Sequence, residues 1–117
     1  MKAHDLTWLA DILDSANLVR QFTQDVTFEE FRKDVMRHSA VARHPEIMGE
    51  AAKNVSAAYK ADHPEIPWKR MAGMRDVLIH AYGKVDLAEL WGIATHDASE
   101  LIRNLEPLVP PPDAEDA

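Results

Sequence analysis

A chain of 117 residues is enough for one compact domain and too short for two. Hydrophobic residues at 46% argue against disorder, while 4 Gly and 7 Pro are too few for the turns of an all-β domain, so an all-α fold is expected. The absence of cysteine excludes disulfides, thiolate nucleophiles and zinc–thiolate sites, and a net charge of −7 counts against nucleic-acid binding by the surface as a whole.

The first predicted helix runs from about Leu6 to Phe22, with Asp5 as its N-cap. Leu6, Leu9, Leu13 and Ala16 fall at helical spacing, and Ile12, Val19 and Phe22 widen the stripe. Asp11, Asp14 and Arg20 are assigned to solvent. Thr27-Phe28-Glu29-Glu30 is a capping box, with Val26 and Phe31 at the two staple positions. It predicts a second helix continuing through Val35, with a break near Arg37–Ser39, where the apolar phase shifts. A long third helix is expected from Val41 to Tyr59, burying Ile47, Ala51, Val55 and Ala58. Pro45 inside that run marks either a helix start or a kink.

Pro67 suits the first position of a fourth helix, because its missing amide donor costs nothing there. That helix is expected to reach about Ala81 and to stop at Gly83. Asp86-Leu87-Ala88-Glu89 forms a second cap, opening a fifth helix that runs to about Leu105. Its buried set is Leu87, Leu90, Trp91, Ala94, Ala98, Leu101, Ile102 and Leu105. From Pro107 onward, the prolines at 110–112 and an acidic end read as a flexible tail. Residues 1–106 thus read as one domain of four to five helices, an antiparallel up-and-down bundle. The apolar stripes on the first and last helices exceed what one small core needs, which points to a helix-mediated homodimer.

No window approaches the ~18 unbroken apolar residues of a membrane span. No secretory signal is visible at the N-terminus. With the missing cysteines, this predicts a cytoplasmic location. The charge is uneven along the chain. Residues 35–84 carry 8 basic and 5 acidic side chains and four of the six histidines, whereas residues 85–117 carry 1 basic and 8 acidic. The middle segment could meet an anion although the whole is acidic.

The middle segment contains Met74-Arg75-Asp76-Val77-Leu78-Ile79-His80-Ala81-Tyr82-Gly83. Asp76 and His80 stand at i and i+4, on one helix face and within hydrogen-bond reach. Arg75 and His80 are i and i+5, roughly 140° apart around the axis. They line one cleft only if the Arg75 side chain curls around or a second subunit closes the site. The residue types suit a phosphodiester. Arginine offers a planar, charged donor fork to a phosphate oxygen. Histidine is an acid or base near neutral pH. RNA supplies its own nucleophile, the 2′-hydroxyl, so the chemistry needs no metal, cofactor or protein nucleophile. The residues alone leave other readings open. Arg75 could be half of a salt bridge, His80 an interface residue and Tyr82 a packing aromatic.

Arg75-x4-His80-x-Tyr82 resembles the signature of the HEPN superfamily, and most closely that of the HepT toxins of HEPN/MNT toxin–antitoxin modules. Ile66-Pro67-Trp68 followed by Met74-Arg75-Asp76-Val77-Leu78-Ile79-His80 is similar to that family's IPW…MRN-hydrophobic-hydrophobic-hydrophobic-H run. Val85-Asp86-Leu87 with Leu90-Trp91, Arg43-x-x-Glu46-Ile47-Met48-Gly49-Glu50-Ala51 and Thr27-Phe28-Glu29-Glu30-Phe31 resemble further family segments. The resemblance covers roughly residues 6–106. It implies a homodimer of helical bundles acting as a metal-independent endoribonuclease in the cytoplasm of a bacterium or archaeon. Arg75 would stabilise phosphate charge and His80 would do acid–base work at the dimer cleft. Asp76 stands where the family often has Asn, and would support His80 or help assemble the site. Tyr82 matches the tyrosine to which an MNT nucleotidyltransferase antitoxin transfers AMP. A bulky anionic nucleotide there would compete for Arg75.

Two other readings stand beside the ribonuclease. One is a non-catalytic helical binding partner of a nucleotidyltransferase, and the other is a helical dimer whose motif is inert. Arg37, His38, Arg43, His44, Lys69, Arg70 and Lys84 are candidates for a basic rim that steers RNA, or are simply a solvated face. Trp8, Trp68 and Trp91 read as core or interface anchors, with Trp68 also a candidate stacking platform. No histidine pair has metal-ligand spacing, so no metal site is expected.

Overall fold

The computed structural model describes residues 3–78 and 84–111. In chain order these form α1 (Ala3–Thr23), α2 (Phe28–Lys33), α3 (Val35–Asn54), α4 (Ala57–Asp62), α5 (Trp68–Leu78), α6 (Leu87–Gly92), a π-helical turn (Ile93–Asp97) and α7 (Ala98–Leu105). The last three follow without interruption as one rod. Four rods thus build the all-α bundle, with short α2 and α4 at their junctions. α1 packs on α3, α3 packs on α5, and the last rod returns to α1. No helix among the described residues is long and apolar enough to cross a membrane.

Each rod turns one apolar stripe inward. α1 buries Leu9, Ile12, Ala16 and Val19, and α3 buries Val41, Met48, Ala51 and Ala52. α5 buries Met71, Met74 and Leu78, while the last rod buries Leu90, Ile93, Ala98, Leu101 and Leu105. Each large side chain fully buried contributes about 1.5–3 kcal/mol. Packing of this kind, more than local propensity, holds helices of these lengths. Phe31 and Trp91, with ring centroids 5.1 Å apart, fasten α2 to the last rod.

The capping box at Thr27 forms as expected: Glu30 N–H donates to the Thr27 hydroxyl at 3.1 Å, and Thr27 N–H donates to Glu30 Oε1 at 2.9 Å. Asp86 likewise caps α6, accepting from Glu89 N–H at 3.1 Å. Met71 N–H donates to the Pro67 carbonyl at 3.0 Å, so Pro67 stands at the opening of α5. The expected end of that helix near Ala81 and its stop at Gly83 lie outside the described residues. Across that stretch Asp86 N–H donates to the Leu78 carbonyl at 2.7 Å.

Several boundaries differ from expectation. Asp5 does not cap α1. It lies inside the helix and is buried, and its carboxylate accepts from Ser56 N–H at 2.8 Å and from the Ser56 hydroxyl at 2.7 Å. Ser56 in turn accepts from Tyr59 N–H at 3.2 Å and caps α4. The helix expected through Tyr59 therefore ends at Asn54, with Val55 extended. The break expected near Arg37–Ser39 falls at Asp34, which closes α2 and accepts from Arg37 N–H at 3.0 Å to open α3. Pro45 is buried within α3 and does not start it.

The last rod holds a π turn, marked by Ala98 N–H donating to the Ile93 carbonyl. Hydroxyls of Thr95 and Ser99 donate to the carbonyls of Trp91 and Thr95, both at 2.7 Å. Such back-bonding competes with the regular ladder. The wider turn buries both Ile93 and Ala98, five residues apart, and Ile93 was not in the expected set. The chain also stays on the bundle past Pro107, where Leu108 and Val109 are half-buried against the core.

Candidate functional site

The inward stripe of α5 turns its opposite side, with Arg75 and Asp76, to solvent. Arg75 Nη1 lies 4.0 Å from Glu46 Oε1 of α3, and both side chains are 65% exposed. A solvated pair of this kind contributes only about 0–1 kcal/mol. The fold does not depend on the Arg75 guanidinium, which is open to a ligand. His80 and Tyr82 lie outside the described residues, and so does the expected pairing of Asp76 with His80.

The position of Arg75 is set by backbone packing. A Cβ at Gly49 would lie 2.9 Å from the Met71 carbonyl oxygen, so α3 and α5 cross at a distance that only glycine permits. Arg70, five residues before Arg75, forms a 2.9 Å ion pair with Asp97 and ties α5 to the π turn. Leu78, the last described residue of α5, accepts from Asp86 N–H through its carbonyl.

Beside the Arg75–Glu46 pair, a groove of about 450 Å³ runs between α1 and α3. It divides the work of the 43–51 segment. Arg43, Glu46, Ile47, Glu50 and Ala51 line the groove, while Gly49 seats α5. Trp8 and Asp11 of α1 complete the lining. The sequence reading placed neither in a groove. The available signal was that both fall off the α1 stripe of Leu9, Ile12 and Ala16. The lining has three carboxylates and one guanidinium, so Arg43 is the one cation among its described residues, and Arg75 stands beside it through Glu46.

The proposed basic rim shrinks. His44 is buried, with Nδ1 3.0 Å from the Ser15 hydroxyl between α3 and α1. Burial, and secondarily the Arg43 charge, lower its pKa and favour the neutral ring. Arg37 donates to the Phe22 carbonyl at 2.6 Å and pairs with Asp34 at 3.2 Å. Arg70 is engaged by Asp97, and His38 is half-buried against Phe31. Arg43, Lys69 and Lys84 are exposed. Trp68 is an anchor, donating Nε1–H to the His63 carbonyl at 3.0 Å and meeting Tyr59 edge-on.

The sequence model of the ribonuclease HepT-like family matches residues 12–108. The chain is 44% identical over 108 residues to a protein of Thermococcus cleftensis named "Probable ribonuclease HepT", covering 92% of this chain and 98% of that one. It is 39% identical over 99 residues to a candidate RNase of Methanocaldococcus jannaschii, covering 85% and 91% of the two chains. A candidate RNase of Caldanaerobacter subterraneus is 33% identical over 102 residues, covering 87% and 91%. No solved structure matches the chain. The family match begins in α1 just after Trp8 and Asp11 and ends beyond α7, spanning the α3 side of the groove, the α3–α5 crossing and the Arg75 helix, and the chain therefore belongs to the HepT-like ribonuclease family.

Proposed function

We propose that this protein is a metal-independent endoribonuclease, the toxin of a HEPN/MNT toxin–antitoxin pair, with Arg75 and His80 as its catalytic residues. The observation that supports the reading most is the placement of Arg75: exposed, on a helix fixed by backbone packing, in a chain of the HepT-like family. Its guanidinium fork suits the non-bridging oxygens of a phosphodiester, where negative charge grows as the transition state forms. His80 takes the proton from the 2′-hydroxyl, and O2′ attacks phosphorus. The P–O5′ bond breaks, and the departing O5′ leaves with a proton donated by an imidazolium. The products are a 2′,3′-cyclic phosphate and a free 5′-hydroxyl.

Asp76 supports the site one turn before His80. The roughly 140° between Arg75 and His80 on a helix is bridged when a second subunit closes the cleft, so the active form is a homodimer. A nucleotidyltransferase antitoxin neutralises it by transferring AMP to Tyr82, which sets an anion beside Arg75. The setting is the cytoplasm, and residues 1–106 are the catalytic domain, followed by a segment whose Leu108 and Val109 rest on the core. End-group analysis of cleaved RNA tests the chemistry. Cyclic phosphate at the 3′ ends and hydroxyl at the 5′ ends are expected. A 3′-hydroxyl with a 5′-phosphate would refute attack by the 2′-oxygen.

A further inference from the structure

A second groove, of about 800 Å³, lies between α1 and the segment that follows α7. Its floor comes from Leu6, Ala10 and Leu13, which repeat at i, i+4 and i+7 along α1. Val109, Pro110 and Pro111 form the facing wall. Leu6, Leu13 and Val109 are only half-buried although they touch the core, so they present apolar surface outward. The charged residues of the lining are Asp11, Asp14 and Glu106, and no lysine or arginine lies among the described lining residues.

An apolar floor with a one-sign rim selects its occupant. The acidic rim repels a polyanion, so RNA is not the ligand here. A second copy docked about a two-fold axis would set the same rim against itself, acid facing acid. An amphipathic helix carries apolar side chains at i, i+3, i+4 and i+7 and can flank them with lysine or arginine, which matches both floor and rim. We propose that this groove docks a basic amphipathic helix of a different protein. Arg75 does not line this groove, which shares Asp11 with the one beside Glu46, and the proposal stands whether or not Arg75 cleaves RNA.

The test titrates the full chain with a fluorescently labelled, 16-residue helical peptide, roughly four turns long, carrying leucine along one face and lysine on both flanks. A second peptide keeps the lysines and replaces leucine by glutamine. Asp14→Lys with Glu106→Lys reverses the rim, and Asp62→Lys, at the end of α4, reverses an acid elsewhere. Glu106 follows the C-terminal end of α7, where a cation is favoured, so the double variant folds, as a thermal melt verifies. Saturable binding of the leucine peptide is expected, at least tenfold weaker in the rim variant and unchanged in Asp62→Lys. Equal binding of the glutamine peptide would reduce the effect to bulk charge and overturn the proposal. So would binding indifferent to the rim reversal, or loss of self-association in the rim variant, which would assign the groove to a second copy.

Discussion

Arg75 touches its surroundings so lightly that its removal separates chemistry from folding. Its ion pair with Glu46 is solvated and 4.0 Å long, worth at most about 1 kcal/mol. Its charge fork, by contrast, is worth several kcal/mol where it meets a developing phosphate charge. Arg75→Ala is therefore expected to lower RNA cleavage about 100-fold or more while the melting temperature moves by no more than about 5 °C, on the scale that relates stability to melting. Calorimetry and single-turnover cleavage on the same preparation check this, and a variant that unfolds would make Arg75 structural. At this scale the sequence was informative about residue types and blind to neighbours. Arg75, Asp76 and His80 stand close in sequence and were readable as a set. Glu46 lies on another helix, and Trp8 and Asp11 on a third, so nothing local announced that they border the same surface.

The α3–α5 crossing carries the geometry of the site at the level of elements. Gly49 allows it, because any side chain there meets the Met71 carbonyl at 2.9 Å, a backbone atom that cannot swing aside. Gly49→Ala is expected to destabilise by about 1–3 kcal/mol as α5 is pushed off α3. It should also depress cleavage beyond what the loss of folded protein explains, because Arg75 rides on α5. Urea unfolding and cleavage at a temperature where the variant stays folded measure the two effects. An unchanged midpoint would show that the crossing relaxes freely.

Helix starts were legible where the signal is local, as at Thr27 and Asp86, whose caps reach three residues. They were missed where the partner is remote. Asp5 reads as a cap from its position, but its carboxylate is taken by Ser56, 51 residues away. The π turn was missed because helical periodicity assumes one constant step, and the Thr95 and Ser99 hydroxyls that accompany the change give no apolar pattern.

For the molecule as a whole, the all-α bundle followed from composition and stripes, since burying four apolar faces leaves few arrangements for so short a chain. Along the sequence the acidic excess lies outside residues 35–84, which carry 8 basic and 5 acidic side chains, while residues 85–117 carry 1 basic and 8 acidic. Global stability is tied to pH through His44, which joins α1 to α3. Burial holds its pKa below the ordinary 6.5. The unfolded chain then takes up the proton more readily than the native one, so the contribution of His44 is complete above pH about 6.5 and is lost as pH falls below that. The urea midpoint of the wild type is expected to drop more between pH 7.5 and 5.5 than that of His44→Gln, whose side chain does not titrate. Equal drops would locate the pH sensitivity elsewhere.

Metal-free cleavage by Arg75 and His80 is decided by incubating purified protein, shown by mass to carry an unmodified Tyr82, with total RNA in excess chelator beside His80→Ala. Chelator-resistant cleavage by the wild type and none by the folded variant is the predicted result. Cleavage that survives His80→Ala, or no cleavage by unmodified folded wild type, would show that Arg75 and His80 are not a ribonuclease site.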